Sequence, residues 1–584
     1  MFRKTFYPFF LVLVAYLLFS NNDTKTIIAG IAIFLVGMIF MEDGFKLFTG
    51  GMFEKYLEKS TNSMPKAIGT GFLSTTLVQS SSLISVIIIS FLSAELISLS
   101  SAIGVIFGSN IGSTTTAWIV SSLGVKINIA HYAMPLLVFG VIFKLNKNKT
   151  YQGFGNIIIG LGFVFLGIGY MKEGFEALKD GLDLAQYAMD GYLGVLVYIF
   201  IGAVATVIIQ SSGATMALII TALATGQIEY VNALALAIGA NIGTTVTAII
   251  GSLSSNANGK RLAVAHFIFN MVTGFIAIVF LYQLADLVDI ASAQIGIGAE
   301  DYAMKLALFH TIFNIIGVLA VSPFTSKLVL FLKGLFNKDE EDVSRARYLD
   351  NVVIEVPEAA INALQKEVSH LYDNSTEVLS HALSLHRHTY IGMGDEISEV
   401  VKVSVKQIDT NIDKFYDKKI KSLYGDIINY ATISQENMSV EDKNKIYALK
   451  IACRDIVEAI KDVKELQKNI NRFIKSKNND IKAEYNYLRE EIAKTLDGIH
   501  TLKNHHDDFE VLAKIKILED NLNKLDMIQN GRIDHLIREH KIDAKMATSL
   551  INDSSFAYDI SKKLISVATI LWIKNEDIRE LGEE

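Results

Sequence analysis

Gln79-Ser80-Ser81-Ser82 lies inside an apolar segment, residues 67–93, that has no charged side chain. The chain repeats this arrangement at Gln210-Ser211-Ser212-Gly213. The first stretch is called motif 1 and the second motif 2. Consecutive polar side chains at membrane depth cost free energy unless each finds a partner. Because the chain carries the arrangement twice, we interpret the two motifs as facing halves of one substrate site.

An internal duplication surrounds the motifs. The stretch from Gly71 to Ile119 aligns without a gap to the stretch from Gly202 to Ile250, with about a third of the positions identical. Chance similarity between apolar segments would match Leu, Ile and Val, whereas these identities include polar residues. The matched pairs include Gln79/Gln210, Ser80/Ser211, Ser81/Ser212, Asn110/Asn241, Gly112/Gly243, Thr114/Thr245 and Thr116/Thr247, and, nearer the N-terminus, Gly37/Gly167, Met41/Met171, Gly44/Gly174 and Phe45/Phe175. The sequence therefore predicts two copies of one structural unit.

The composition divides the chain into two parts. Up to about residue 335, apolar residues and Gly dominate, and several stretches of about 20 residues without charge are long enough to span a membrane. Beyond about residue 340 the chain is rich in Lys, Asp, Glu, Asn and Ile, with one proline, which is typical of a soluble helical domain. The single cysteine, Cys453, excludes an intramolecular disulfide. The net charge of −7 and the lack of a basic, aromatic-laced patch argue against nucleic acid as a partner.

We expect an all-α, polytopic membrane protein followed by a helical bundle. Residues 1–26 are expected to form an N-terminal short span, 27–150 the first repeat, 151–338 the second repeat and 339–584 the bundle. A signal peptide is the alternative for the N-terminal apolar run, but no small-x-small cleavage pattern follows it. Three lysines flank the last span, so the positive-inside rule predicts a cytoplasmic bundle: Lys327, Lys333 and Lys338.

Each motif is followed by a second polar interruption, at residues 108–116 and 239–247. Duplicated, Gly-interrupted apolar segments are typical of secondary transporters, in which they form broken helices or re-entrant hairpins near the membrane midplane. We expect the glycines to permit a break and the hydroxyls to cap the helix that resumes. A helix N-terminus binds anions, and hydroxyl and amide oxygens suit a hard cation such as sodium. Because both motifs lack Arg and Lys, a bound anion would need co-bound cations, which favours cotransport.

Close helix packing is the simpler explanation for small polar residues in a membrane protein. It accounts for scattered serines such as Ser90 and Ser98, but it does not account for a Gln beside serines in both copies. Histidines and asparagines four positions apart share a helix face, and we interpret them as inter-helix hydrogen-bonding positions. These residues are His131, His266 with Asn270, and His310 with Asn314.

Paired Gln-Ser-Ser motifs, each followed by Gly-x-Asn-Ile-Gly-[ST]-[ST], resemble the type II sodium-dependent phosphate cotransporter family over residues 27–335. The resemblance implies two inverted repeats with re-entrant hairpins and broken helices, and a phosphate and sodium site formed by both motifs. It assigns substrate and sodium binding to Gln79, Ser80, Ser81, Ser82, Gln210, Ser211 and Ser212, and places Asn110, Thr114, Thr115, Asn241, Thr244 and Thr245 in the surrounding shell. The chain departs from the family at Gly213, where a third serine is usual.

The C-terminal half shows long patterns of helical period with hardly any Gly or Pro, which predict a bundle of antiparallel helices. This half resembles the PhoU-like regulatory domain, whose Glu-x-x-x-Asp motifs bind metal. Glu458 and Asp462 match the first motif, whereas Ser555 stands where the second requires Glu. A divalent metal here is therefore left open. The pairs His505-His506 and His386/His388 are interpreted as solvated surface or turns.

The leading hypothesis is a sodium-coupled transporter of inorganic phosphate in a bacterial inner (cytoplasmic) membrane, working by alternating access and regulated by the bundle. One alternative is a membrane-anchored phosphate sensor, and another is an exporter of phosphate or a transporter of another oxyanion. The expected partners are phosphate, sodium and the lipid bilayer, with a homo-oligomer or a cytoplasmic regulatory partner left open. No nucleophile–base pairing, phosphate loop or zinc signature indicates an enzyme.

Overall fold

A computed structural model describes residues 22–49, 60–124, 130–179, 191–253, 255–336, 346–349 and 356–573, with short gaps at 409–410, 437, 504–506, 523–524, 526 and 528–530, and the isolated positions 15, 18 and 354. The described residues are helical, with no strand among them. The chain forms two compact units, one of residues 1–338 with 350–356 and the other of residues 339–349 with 357–584. Most of the short span expected over residues 1–26 lies outside the described residues, as does the pair His505-His506.

The first unit contains thirteen α-helices among its described residues. They are α1 (Asn22–Thr49), α2 (Met64–Val78), α3 (Ser81–Ser93), α4 (Leu99–Ile119, continued by a π-helical turn over Val120–Gly124), α5 (Ala130–Lys144), α6 (Lys149–Lys179), α7 (Gly191–Ile209), α8 (Ser212–Ala224), α9 (Tyr230–Ser252), α10 (Ala257–Val279), α11 (Leu281–Gln294), α12 (Tyr302–Val321) and α13 (Thr325–Leu335, after a 3-10 turn over Ser322–Phe324).

Seven helical segments of the described chain are long and apolar enough to cross a membrane. They are Asp23–Phe48, Leu99–Ser122, Lys149–Leu178, Gly191–Ile209, Tyr230–Ser252, Ala257–Val279 and Tyr302–Leu335. The helices that follow the motifs, α3 and α8, are apolar but have only 13 residues each. At 1.5 Å per residue they reach about 20 Å, less than the roughly 30 Å of the hydrocarbon core. The expectation of a polytopic, all-helical membrane protein is confirmed.

Helices α1 and α6 pack antiparallel along a row of glycines. Close approach needs a residue without a Cβ, since a Cβ on Gly37 would lie 2.6 Å from the Gly160 carbonyl oxygen. As the residue number rises along α1, the number of its partner falls along α6. The facing pairs, spaced seven residues apart, are Gly30 with Gly167, Gly37 with Gly160 and Gly44 with Gly153. These two helices contain the first positions matched by the internal duplication, so equivalent helices of the two copies run in opposite directions.

Each motif lies at the tip of a helical hairpin. Helices α2 and α4 run parallel, because Gly104 approaches Met64 near the start of α2 and Gly112 approaches Thr75 near its end. Helix α3 therefore returns from the end of α2 to the level of its start, which places motif 1 at the turn. The second copy repeats this arrangement with α7, α8 and α9, in which Gly239 approaches Ile199 and Gly243 approaches Thr206.

The expectation of a helix break within residues 108–116 and 239–247 is wrong, because α4 and α9 are continuous there. The glycines serve close packing instead: a Cβ on Gly108 would lie 1.9 Å from the Ile68 carbonyl oxygen. Most of the hydroxyls bond back to carbonyls of their own helix, as Thr115 does to Gly112 over 2.7 Å. The backbone breaks at the motifs.

The second unit is a helical bundle. Its described helices are α14 (Pro357–Ala382), α15 (Arg387–Tyr390), α16 (Ile397–Val403), α17 (Ile412–Phe415, followed by a π-helical turn over Tyr416–Ile420), α18 (Lys421–Ser434), α19 (Val440–Phe473), α20 (Asn479–Leu502), α21 (Asp508–Leu522), α22 (Arg532–Arg538) and α23 (Ala544–Trp572). Arg489 of α20 is fully buried and donates to the carbonyls of Leu383 over 2.7 Å and Ser404 over 2.8 Å. Cationic donors are favourable at helix C-termini, so this guanidinium joins the ends of α14 and α16 to α20.

Asp553 makes the stability of the bundle depend on pH. This carboxyl on α23 accepts a hydrogen bond from the Tyr485 hydroxyl, and burial raises its pKa to about 6 from 3.8. Since the folded pKa lies above the unfolded one, the stabilisation is fully present below about pH 4 and is lost as the pH rises through 6. Between pH 4.5 and pH 8, we expect the unfolding free energy to decrease by about 2 kcal/mol less in Asp553→Asn than in the unsubstituted protein.

Urea unfolding of the detergent-solubilised protein at both pH values measures this effect. The matched control is Asp534→Asn, because Asp534 is exposed. A pH dependence of Asp553→Asn equal to that of the unsubstituted protein would contradict the assignment.

Candidate functional site

The Gln79 side chain clamps the tip of the first hairpin to α4. The residue ends α2 in the left-handed region, at φ 58° and ψ 20°. Its amide nitrogen donates to the Thr76 carbonyl over 2.6 Å and to the Thr115 hydroxyl over 2.9 Å. Its amide oxygen accepts from the Thr116 hydroxyl over 2.9 Å. Gln210 ends α7 with nearly the same dihedral, φ 60°. A non-glycine residue with positive φ costs about 1 kcal/mol, and such strain is concentrated at functional sites.

The serines after each Gln start the second helix of the hairpin. Ser80 caps α3 by accepting from the Leu83 amide over 3.2 Å, and Ser211 caps α8 by accepting from the Ala214 amide over 3.2 Å. The first N–H groups of a helix have no intrahelical acceptor and carry partial positive charge, so both hairpin tips suit an oxyanion. Ser81 and Ser212 are partly exposed, and Ser82 is exposed. The hydroxyls predicted to bind substrate therefore remain accessible at the tips.

The two motifs meet through one threonine. A Cβ on Gly213 would lie 3.3 Å from Thr116 Cγ2 and 3.5 Å from Thr116 Oγ1. The same Thr116 hydroxyl donates to Gln79. The contacts Gly213–Thr116–Gln79 thus join motif 2 to motif 1, and the position that lacks the usual serine lies at this junction.

The site is asymmetric. Gln210 is exposed and donates to the Val207 carbonyl of its own helix. Thr247, the counterpart of Thr116, donates to the Thr244 carbonyl over 2.6 Å. Motif 1 is therefore held by side chains of α4, whereas the exposed Gln of motif 2 bonds only within its own helix among the described residues.

Of the predicted shell, the structure brings Thr115 to the motifs. Asn110 Nδ2 lies 3.4 Å from His266 Nε2, and Asn241 Nδ2 donates to Asn314 Oδ1 over 3.0 Å. These asparagines are buried clamps between helices, which agrees with the interpretation of His266 and Asn314 as inter-helix positions. His131 lies exposed on α5 and makes no side-chain hydrogen bond to another described residue. The remaining shell residues, Thr114, Thr244 and Thr245, donate to carbonyls of their own helices.

Sequence reasoning missed two site residues. Thr116 belonged to the matched pairs but was not assigned to the site. Glu42 of α1 accepts from the Ser80 hydroxyl, with 3.2 Å between Ser80 Oγ and Glu42 Oε2. An acidic residue inside an expected span was the available signal, because ionisable groups in membranes are usually functional.

The candidate metal pair of the bundle holds an ammonium group. Lys563 Nζ lies 2.6 Å from Asp462 Oδ2 and 3.5 Å from Glu458 Oε2. Within the described part of the chain, no group of three or more His, Cys, Asp or Glu side chains is arranged to hold a metal ion. Since the Lys563 ammonium contacts both carboxylates, the geometry favours ion pairs over a divalent metal here.

Comparison with known proteins identifies the family. The sequence model described as Na+/Pi-cotransporter matches residues 33–173 and 191–307, which include both motifs and both hairpins. The chain belongs to the Na+/Pi-cotransporter family. This is a family of transporters rather than enzymes, as the sequence predicted. The resemblance of the C-terminal half to PhoU-like domains stays a prediction.

The relatives differ in how much of their length they share with this chain. The Salmonella typhimurium protein YjbB, whose name describes inorganic phosphate export, is 25% identical over 60% of this chain, and the match spans 63% of YjbB. The Bacillus subtilis protein YqeW, named as uncharacterized, is 30% identical over 51% of this chain and 92% of its own length. The human sodium-dependent phosphate transport protein 2B is 39% identical over 14% of this chain and 12% of its own. No solved structure matches the chain.

Proposed function

We propose that this protein is a sodium-coupled secondary transporter of inorganic phosphate that works by alternating access. The observation that carries the proposal is the meeting of the two hairpin tips, in which Gly213 of motif 2 lies against Thr116 and Thr116 donates to Gln79 of motif 1. Two capped helix N-termini and neutral donors there suit a tetrahedral oxyanion. The residues proposed to bind phosphate and sodium are Gln79, Ser80, Ser81, Ser82, Gln210, Ser211 and Ser212.

The arrangement of the two copies supports alternating access. Equivalent helices α1 and α6 run antiparallel, which is expected of repeats with inverted topology. In such transporters the substrate site lies between the repeats, and rocking of one against the other exposes it to each side in turn. The helices α3 and α8 are too short to cross a bilayer, as expected of re-entrant hairpins.

Sodium coupling is supported by the charge of the motifs. Neither motif contains Arg or Lys, so helix dipoles alone would oppose the charge of a bound phosphate. Co-bound sodium ions, held by hydroxyl and carbonyl oxygens, would supply the missing positive charge. The names of the mammalian relatives, which describe sodium-dependent phosphate transport, point the same way.

Uptake into proteoliposomes tests the proposal. The purified full-length protein is reconstituted, and entry of radiolabelled phosphate is compared under an inward sodium gradient and an equal potassium gradient. We expect uptake under sodium to exceed uptake under potassium by at least about tenfold, with sulfate failing to compete. Equal uptake under both gradients would overturn sodium coupling, and substrate binding without flux would favour a phosphate sensor.

Phosphate export is a second candidate, because the name of the YjbB relatives describes it. The same vesicles, loaded with labelled phosphate and sodium, distinguish the two directions. Faster efflux down an outward sodium gradient than influx down an inward one of equal size would favour export. We further propose that the C-terminal bundle lies in the cytoplasm and regulates transport, since Lys327 and Lys333 lie on α13, at the C-terminal end of the last apolar segment, and the bundle resembles PhoU-like domains.

A further inference from the structure

A carboxylate from outside the motifs contacts motif 1. Glu42 lies within the apolar span Asp23–Phe48, and its Oε2 is 3.2 Å from Ser80 Oγ. Its Oε1 is 3.1 Å from Lys46 Nζ, one helical turn further along α1. The Glu42 side chain is 30% exposed and that of Lys46 is 45% exposed. A carboxylate in an apolar span is costly, and it persists where it faces an interior pathway or binds a partner.

Glu42 gives the two halves of the site different charges. Ser80 caps α3, so the carboxylate lies beside the helix N-terminus that would otherwise attract an anion. A phosphate at motif 1 would be repelled by this negative charge, whereas a cation would be attracted to the carboxylate and hydroxyl oxygens. Carboxylate and hydroxyl oxygens are ligands of hard cations. Motif 1 therefore has the chemistry of a cation site.

The second copy reverses this charge. The matched pairs Met41/Met171 and Gly44/Gly174 align Glu42 with Lys172. Helix α6, which carries Lys172, contacts the C-terminal end of α8 near Ala222, away from motif 2. The position equivalent to Glu42 therefore supplies no carboxylate to the second copy.

We propose that Glu42 Oε2 and Ser80 Oγ are ligands of a transported sodium ion, so that motif 1 is the cation half of the site and motif 2 the phosphate half. The inference rests on the proposed sodium-coupled phosphate transport and assigns its cation-binding group. Lys46 competes with sodium for the Glu42 carboxylate, because its ammonium already contacts Oε1.

The test is the sodium concentration that gives half-maximal phosphate uptake into proteoliposomes by the full-length protein. We expect Glu42→Gln to raise this concentration at least about tenfold, while the phosphate KM at saturating sodium stays within about threefold. Lys46→Met should shift the sodium concentration in the opposite direction, because it removes the competing cation. The matched control is Asp43→Asn, the neighbouring carboxylate, which is exposed and should leave the value within about twofold.

A second readout does not depend on transport. Sodium chloride, compared with choline chloride, should raise the melting temperature of the detergent-solubilised protein and of Asp43→Asn but not of Glu42→Gln. An unchanged sodium requirement in both Glu42→Gln and Lys46→Met would overturn the inference, as would a rise in phosphate KM without a change for sodium. If the unsubstituted protein transports phosphate without sodium, the proposed coupling fails instead. The two failures are thus distinguishable.

Discussion

Replacement of Gln79 by alanine is expected to lower phosphate uptake at least about 100-fold and to destabilise the transporter, whereas Gln210→Ala should lower uptake without a loss of stability. The difference follows from the hydrogen bonds of the two amides. Gln79 bonds to Thr115 and Thr116 of α4 as well as to its own helix, whereas Gln210 bonds to the Val207 carbonyl. Removing Gln79 leaves two threonine hydroxyls without these partners, at a cost of about 2 kcal/mol.

Two measurements separate the roles of the two glutamines. Initial rates of sodium-driven phosphate uptake report on the substrate site. Melting temperatures in detergent report on the hydrogen bonds of Gln79 to α4. Gln152→Ala is a matched control, since Gln152 donates to the Asn146 carbonyl in a connection away from the motifs. Equal melting temperatures for Gln79→Ala and Gln210→Ala would contradict the clamp, and normal uptake by either variant would contradict its place in the substrate site.

The hairpins could be foreseen from the sequence because two independent signals coincide at the motifs. Polar residues interrupt an apolar segment at Gln79, and the interruption recurs at Gln210 in a duplicated segment. Polar side chains that recur at equivalent positions of an apolar segment indicate that both copies use them in the same local structure. At a hairpin tip their polar groups can form hydrogen bonds, so the free-energy cost of placing them in the membrane is small. The split into a membrane part and a helical bundle follows equally from composition.

The role of the glycines could not be foreseen, because glycine serves two opposite purposes in a helix. It permits a break, and it also permits another backbone to approach. At Gly108 the answer depends on whether the Ile68 backbone of another helix packs against it. That contact belongs to the tertiary structure and cannot be read from the local sequence. For the same reason the sequence did not reveal Lys563, which is far in sequence from Glu458 and Asp462 but contacts both of their carboxylates.

The Glu42 contact was hidden for a related reason. The repeats match at Met41 and Gly44 but differ in charge at one of the two positions between them, where Glu42 aligns with Lys172. Identical pairs show what the two copies share. A site that binds both a cation and an anion also requires halves that differ in charge. The contact of Glu42 with Ser80 indicates where that difference lies.

Gly108→Ala is expected to prevent stable packing of the first hairpin against α4. A Cβ there would lie 1.9 Å from the Ile68 carbonyl oxygen and 2.7 Å from the Phe72 amide nitrogen, so α2 and α4 would have to separate. Overpacking of this kind, against backbone that cannot rotate away, costs about 3 kcal/mol or more. The measurement is the melting temperature in detergent, together with the monodisperse fraction on size-exclusion chromatography. We expect a fall of at least about 10 °C or no monodisperse protein.

Position in the fold, rather than loss of glycine itself, should decide the result. Gly69→Ala is the matched control, because Gly69 lies on α2 and has no atom within 4 Å of an added Cβ. Alanine there should be neutral or slightly stabilising, since alanine favours helix over glycine by about 1 kcal/mol. The second copy supplies a replicate: a Cβ on Gly239 would lie 2.0 Å from the Ile199 carbonyl oxygen, so Gly239→Ala should be as damaging as Gly108→Ala. An equal fall in melting temperature for Gly69→Ala and Gly108→Ala would contradict this explanation. It would mean that the glycines act through backbone flexibility rather than through close packing of the helices.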